Sequence, residues 1–123
     1  MKRLLLFGVL CLMQMLACFS YANSGRLYTS NDLSSCLIRC IIQDKYGFIW
    51  VGTNYGLNRF DGYNFSTYLC NPADTTTIQD NGIVQLYPYS KEFLFVATNR
   101  GLYKYSYLTN SFQHIVLEKN DEK

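Results

Sequence analysis

An all-β chain built from repeated four-stranded units is what the sequence predicts, and three observations carry that expectation. Trp50 to Phe60 and Phe95 to Tyr105 align 45 residues apart, with Val, Thr, Asn, Gly and Leu identical at five of eleven positions. The chain beyond residue 23 alternates β-rich runs with tight-turn signals and lacks the 3.6-residue apolar period of a helix. Short strands recurring about every 40 to 50 residues have the spacing of β-propeller blades. Two copies are present, so the expectation is an incomplete ring whose open faces further blades would cover.

The first 22 residues stand apart. Lys2 and Arg3 precede an apolar run from Leu4 to Phe19, broken by Gln14, and Ser20-Tyr21-Ala22 offers small residues for cleavage before Asn23. This reads as a secretory signal peptide over 1–22. The alternative is a membrane anchor, either an uncleaved signal or acylation at Cys18 in Met15-Leu16-Ala17-Cys18. Both readings export the remainder, and the periplasm is the expected compartment. Lys2 and Arg3 account for the whole excess of 11 Lys and Arg over 9 Asp and Glu. A balanced remainder with no basic cluster argues against nucleic acid as a partner.

Residues 23–36 form a leader in which Arg26-Leu27-Tyr28-Thr29 is predicted as a strand able to close a ring. The first blade, 37–70, opens with the run Leu37 to Gln43, in which Ile38, Cys40 and Ile42 are expected on one face and Arg39 on the other. Asp44-Lys45-Tyr46-Gly47 turns the chain, Asp accepting backbone N–H bonds and Gly taking positive φ. Phe48 to Thr53, the turn Thr53 to Gly56, Leu57 to Phe60, the hairpin signal Asp61-Gly62 and Asn64 to Leu69 complete it. A polar inter-blade loop, 71–82, leads to the second blade, 83–117. Its strands are Ile83 to Tyr87, Phe93 to Thr98, Leu102 to Ser106 and Phe112 to Leu117. Its first turn lacks Asp and Gly, and its third is longer, with Asn110 expected in the left-handed region. The tail 118–123 is charged or amide throughout and is expected to fray.

Cys36, Cys40 and Cys70 remain after the signal peptide, an odd count that permits one disulfide and a leftover thiol. Their spacing makes no zinc site, and Cys40 reads as a small apolar filler. No cofactor or metal is expected.

Ile41 to Phe65 resembles the two-component regulator propeller repeat: a strand ending in Asp, a turn with Gly, then W-x-G-T, G-L, an aromatic-Asp turn and a closing Phe. Tyr28 to Ser35 is similar to the stretch that opens the first blade in that family. The resemblance covers about 26–117; the second copy departs at Phe95 and Ala97. It implies the exported front of a hybrid two-component sensor of the kind found in gut Bacteroidetes. There, propeller repeats detect a glycan breakdown product, and kinase, receiver and output domains follow. The remaining blades and a phosphorelay would then lie in a longer protein of which this chain is a truncated part. The alternative is a structural or protein-binding propeller fragment with no small-molecule ligand.

No catalytic constellation is expected. Asp44, Gly47 and Trp50 are spaced one residue longer than a sialidase-type Asp-box, His114 is the only histidine, and no carboxylate pair can be singled out. Trp50 is replaced by Phe95 in the second copy and reads as core between blades. The ligand candidates come from topology. The turn between strands two and three shares a ring face with the inter-blade loop, which gathers Asn54, Tyr55, Asn99 and Arg100 beside the loop. Amides and a guanidinium suit sugar hydroxyls, and an aromatic suits a ring face. Asn54 and Asn99 also read as turn residues in the left-handed region, whereas Tyr55 and Arg100 differ between copies and are not dictated by the repeat.

Overall fold

The computed structural model describes residues 1–21 and 25–117. Helix α1 (Lys2–Tyr21) precedes a 3-10 turn (Ser30–Asp32) and eight strands. These are β1 (Ile38–Gln43), β2 (Ile49–Thr53), β3 (Gly56–Phe60), β4 (Phe65–Tyr68), β5 (Ile83–Pro88), β6 (Phe93–Thr98), β7 (Gly101–Ser106) and β8 (Ser111–Ile115). They form two four-stranded antiparallel meanders in the orders β1-β2-β3-β4 and β5-β6-β7-β8, the expected all-β fold of two blades without a closed ring. Among the described residues no helix is long and apolar enough to cross a membrane. The Cys18 side chain, the junction before Asn23 and the tail 118–123 lie outside the described residues, and the expectations made for them with it.

The turn chemistry follows the sequence in the first sheet. Asp44 Oδ1 accepts the amides of Tyr46 at 2.9 Å and Phe48 at 3.0 Å, and Gly47 closes the turn at φ 83°. Asn110 takes φ 51°, as its place in the longer third turn requires. Asn54 and Asn99 are not in the left-handed region; Gly56 supplies the positive φ (123°) at its turn instead. A glycine carries that conformation without the Cβ strain an asparagine would meet.

Two local expectations fail, each for a backbone reason. Ile38 pairs with Thr53 and Cys40 with Gly52, so Arg39 is an extra residue in a β-bulge. A bulge breaks the two-residue alternation, and Ile38 therefore leaves the face shared by Cys40 and Ile42. The same bulge recurs between Ile83 and Gln85. Arg26 to Thr29 is not a strand. With no ladder partner, the segment is held by side chains: the Tyr28 ring packs edge-on against Phe60 and Phe65, and its hydroxyl donates to the Tyr63 carbonyl at 3.3 Å.

The core lies between the sheets. Trp50 and Leu57 of the first sheet meet Ile83, Leu86, Leu94, Val96, Tyr103, Tyr105 and Phe112 of the second, with Ile78 from the inter-blade loop. Burial of each such side chain contributes roughly 1.5–3 kcal/mol. The register makes the packing directional. The face of β5–β8 that is buried here corresponds, position for position, to the face of β1–β4 turned away from the core. Cys40 is part of the contact as an apolar filler, and burial raises its thiol pKa. Cys36, Cys40 and Cys70 are free thiols.

Trp50 Nε1 donates to Asp44 Oδ2 at 2.7 Å, and the Tyr107 hydroxyl of the second sheet donates to the same oxygen at 2.8 Å. One buried carboxylate thus closes a turn, aims the tryptophan and ties the sheets together.

Gly52 is small because the second sheet stands against it. A Cβ there would come within 2.5 Å of both Cys40 Sγ and Ile83 Cγ2. Its counterpart Ala97 lies on the uncovered face of the second sheet. Gly52→Ala is expected to destabilise the chain by about 1–3 kcal/mol through overpacking. Ala97→Gly should cost below about 1 kcal/mol, from backbone entropy alone. Urea unfolding followed by the fluorescence of Trp50 measures both, and equal costs would disprove the directional packing.

Candidate ligand-binding cleft

The identical threonines of the repeat build two matching turn tips. Thr53 Oγ1 donates to the Gly56 carbonyl at 2.9 Å and accepts the Tyr55 amide at 3.1 Å. Thr98 Oγ1 does the same with Gly101 at 3.0 Å and Arg100 at 3.2 Å. The amides of Asn54 and Asn99 donate to equivalent carbonyls, Leu37 at 3.1 Å and Gly82 at 2.9 Å. Tyr55 and Arg100 therefore occupy equivalent places on equivalent scaffolds, and what differs is the chemistry they present.

The two tips and the inter-blade loop enclose an open cleft of about 340 Å³, lined by Asn54, Tyr55, Asp80, Asn81, Asn99 and Arg100 among others. All four residues singled out from the sequence meet there. Their freedom differs. Asn54 Oδ1 accepts the Ser35 hydroxyl at 2.6 Å, and Asn99 Oδ1 accepts Arg39 Nη1 at 3.2 Å. Both amides are committed to holding the leader and β1. Tyr55 and Arg100 are exposed, and among the described residues their side chains make no hydrogen bond. The loop itself is rigidly pinned: the Asn81 carbonyl accepts the Gly56 amide and its Oδ1 the Cys70 amide, each at 2.7 Å.

Asp80 is the cleft residue that sequence reasoning missed. Its Oδ1 accepts the Gly82 amide at 3.2 Å, while Oδ2 is buried without a hydrogen-bond partner among the described residues. A carboxylate oxygen in that condition favours a nearby donor. Its position in a polar loop with Pro72 and three threonines carried no periodic signal that could have singled it out.

A larger cleft of about 630 Å³ opens at the opposite rim, where Tyr46, Phe48 and Arg59 of the first unit face Lys91, Glu92 and Tyr107 of the second. The Arg59 guanidinium lies 4.8 Å from the Phe48 ring centroid and donates to the Tyr105 hydroxyl at 3.0 Å. Lys104 repeats the arrangement over Phe93 at 4.7 Å. A cation placed over an aromatic in both units is fixed by the repeat as packing. The tips of the smaller cleft differ between units, which makes it the candidate recognition surface.

Two tyrosines near the larger cleft have phenol pKa values held above the ordinary range. Burial is the first cause for Tyr107, followed by its hydrogen bond to Asp44; for Tyr68 burial is followed by the Tyr105 hydrogen bond.

The architecture is that of adjacent propeller blades, and comparison with known proteins agrees. Residues 32–55 match the two-component regulator propeller family. The chain is 37% identical over 82 residues to histidine kinase P4 of Formosa agariphila, an alignment spanning 63% of this chain and 6% of that protein. It is also similar to the extracellular domain assigned to a hybrid two-component system of B. thetaiotaomicron. There the identity is 34% and the TM-score 0.67, over 79% of this chain and 14% of that one. The resemblance to two-component regulator propeller repeats is borne out. The matched repeat starts at residue 32, inside the leader, where Leu33 stands in the position that Ile78 fills in the second unit.

The tyrosine shifts fix the sign of an alkaline effect. The unfolded chain releases these phenol protons near pH 10 while the native chain retains them. Their stabilising contribution is complete below about pH 10 and is lost as pH climbs toward the raised native values. Stability is therefore expected to fall above about pH 10, and the fall should be shallower in Tyr107→Phe. Urea midpoints across alkaline pH test this; an unchanged slope in the variant would refute it.

Proposed function

We propose that this chain contributes two blades to the exported sensor region of a hybrid two-component system, and that the cleft between its turn tips binds a glycan-derived ligand. The observation that carries the reading is the pairing of Tyr55 and Arg100. Two turns of identical construction present an aromatic and a guanidinium, both exposed, over a polar pocket containing Asp80. An aromatic face packs against the C–H face of a sugar, while a guanidinium and a carboxylate take hydroxyls or an acidic substituent. A scaffold pinned by backbone bonds keeps these groups in place before a ligand arrives, which reduces the entropy lost on binding.

The relatives support the setting. One is a histidine kinase and another an extracellular domain of a hybrid two-component system, each much longer than this chain. In this reading α1 acts as the export signal, the propeller faces the periplasm, and phosphorelay chemistry belongs to a kinase region outside these residues. The role of this segment is recognition rather than catalysis.

The test uses the longest protein that carries this chain, with short neutral and acidic oligosaccharides as probes in titration calorimetry. Tyr55→Ala and Arg100→Ala are each expected to weaken binding about tenfold, equivalent to about 1.4 kcal/mol, with no change in melting temperature. Unchanged affinity in both variants would move the site to other blades.

A further inference from the structure

The cleft at the turn tips carries charge that the repeat does not require. Arg100 stands where the first unit has Tyr55, and Asp80 where it has Ser35. Arg39, the extra residue of the β1 bulge, reaches the same place: its Nη1 donates to Asn99 Oδ1 at 3.2 Å, next in sequence to Arg100. The second sheet repeats the bulge between Ile83 and Gln85, and there the extra residue is Val84. The bulge therefore belongs to the scaffold, but the cation on it does not. Arg39, Asp80 and Arg100 each align with a neutral residue of the other unit, and the fold brings the three together.

The signs are unequally placed. Arg39 and Arg100 are both exposed, and among the described residues neither is hydrogen-bonded to a carboxylate. Asp80 is half-buried, with one oxygen on the Gly82 amide and the other closed off from solvent. The positive groups are thus the ones open to an arriving ligand. Asn99 occupies a single donor of Arg39, which fixes where that side chain lies and leaves the remaining N–H groups of its fork free. Such forks take a carboxylate or a similar oxyanion through paired, charge-assisted hydrogen bonds, whereas a neutral hydroxyl offers one acceptor atom and no charge.

Building on the reading of this cleft as a glycan site, we infer that its ligand is an acidic oligosaccharide whose carboxylate or sulfate group is taken by Arg100, with Arg39 as a second cation at the rim. Tyr55, on the other tip, packs against a sugar ring and serves charged and neutral sugars alike. Asp80 repels an anion placed deeper in the cleft, which sets the acidic group at the rim and leaves the interior to uncharged parts of the sugar. Because both guanidiniums are exposed, their contribution weakens as salt screens it.

The test is titration calorimetry on the longest protein that carries this chain, with two matched pairs of probes. Trigalacturonate is compared with its methyl ester, and sulfated lactose with lactose. At least one charged probe is expected to bind about tenfold tighter than its neutral partner in dilute salt, and the advantage should shrink several-fold in about 0.5 M NaCl. The pair that shows the advantage distinguishes a carboxylate from a sulfate ligand. Arg39→Ala and Arg100→Ala should each cut it about threefold with no change in melting temperature, as for an exposed ion pair, and Arg100→Lys should keep part of it. Tyr55→Ala should weaken both members of a pair by the same factor and leave their ratio unchanged.

Equal affinity within both pairs overturns the acidic preference while leaving a sugar site in place. Binding of none of the four probes overturns it together with the glycan reading. A preference that survives in the double variant Arg39→Ala, Arg100→Ala also overturns it, and assigns the anion to another part of the protein.

Discussion

The carboxylate of Asp44 is the interaction on which the rest of this structure depends. A buried carboxylate is tolerated where hydrogen bonds replace its hydration. Here two backbone amides, an indole N–H and a phenol O–H do so, all between 2.7 and 3.0 Å. Each bond belongs to a different level of organisation. The amides shape the β1–β2 turn, the indole bond fixes the orientation of Trp50, and the phenol comes from the neighbouring sheet. Tyr107 is in turn packed against Trp50, Tyr105 and Tyr46, so the clamp anchors an aromatic cluster that spans both blades. Losing the carboxylate would leave the buried Trp50 indole N–H and the half-buried Tyr107 hydroxyl unpaired, and a fully buried unpaired donor costs about 1–3 kcal/mol.

The clamp belongs to a division of labour along each blade. One rim, with Asp44 and the cation over Phe48, holds neighbouring sheets together by interactions repeated or anchored from unit to unit. The other rim carries the threonine-built tips, where a fixed backbone presents variable side chains. Stability and recognition are thereby separated in space. Tyr55 and Arg100 can vary without disturbing the core, because the turn bonds that support them come from Thr53, Thr98 and the backbone.

Much of this organisation was legible in the sequence because it is local. Alternation and turn chemistry located all eight strands, Gly47 and Asn110 took the predicted backbone conformations, and the duplicated aromatic marked Trp50 as core. The gathering of Asn54, Tyr55, Asn99 and Arg100 followed from strand direction alone. What the sequence withheld is non-local. The bulge at Arg39 leaves no compositional mark, yet it inverts the face of Ile38. The leader reads as a strand by composition, but a strand exists only with a ladder partner, and Tyr28 found aromatic side chains instead. Asp44 could be read as a turn residue; its bond to Tyr107, 63 positions away, could not. Asp80 likewise acquires its role only when the loop folds over the tips.

A double-mutant cycle between Asp44 and Tyr107 tests most directly whether one carboxylate unites the two blades. Asp44→Ala, Tyr107→Phe and the double variant would be unfolded in urea and followed by Trp50 fluorescence and by far-ultraviolet circular dichroism. The account predicts a coupling energy of at least about 1.5 kcal/mol, as for a hydrogen bond to a charged group. It also predicts coincident transitions by both probes in the unsubstituted chain. Additivity within about 0.5 kcal/mol, the behaviour of independent sites, would contradict it.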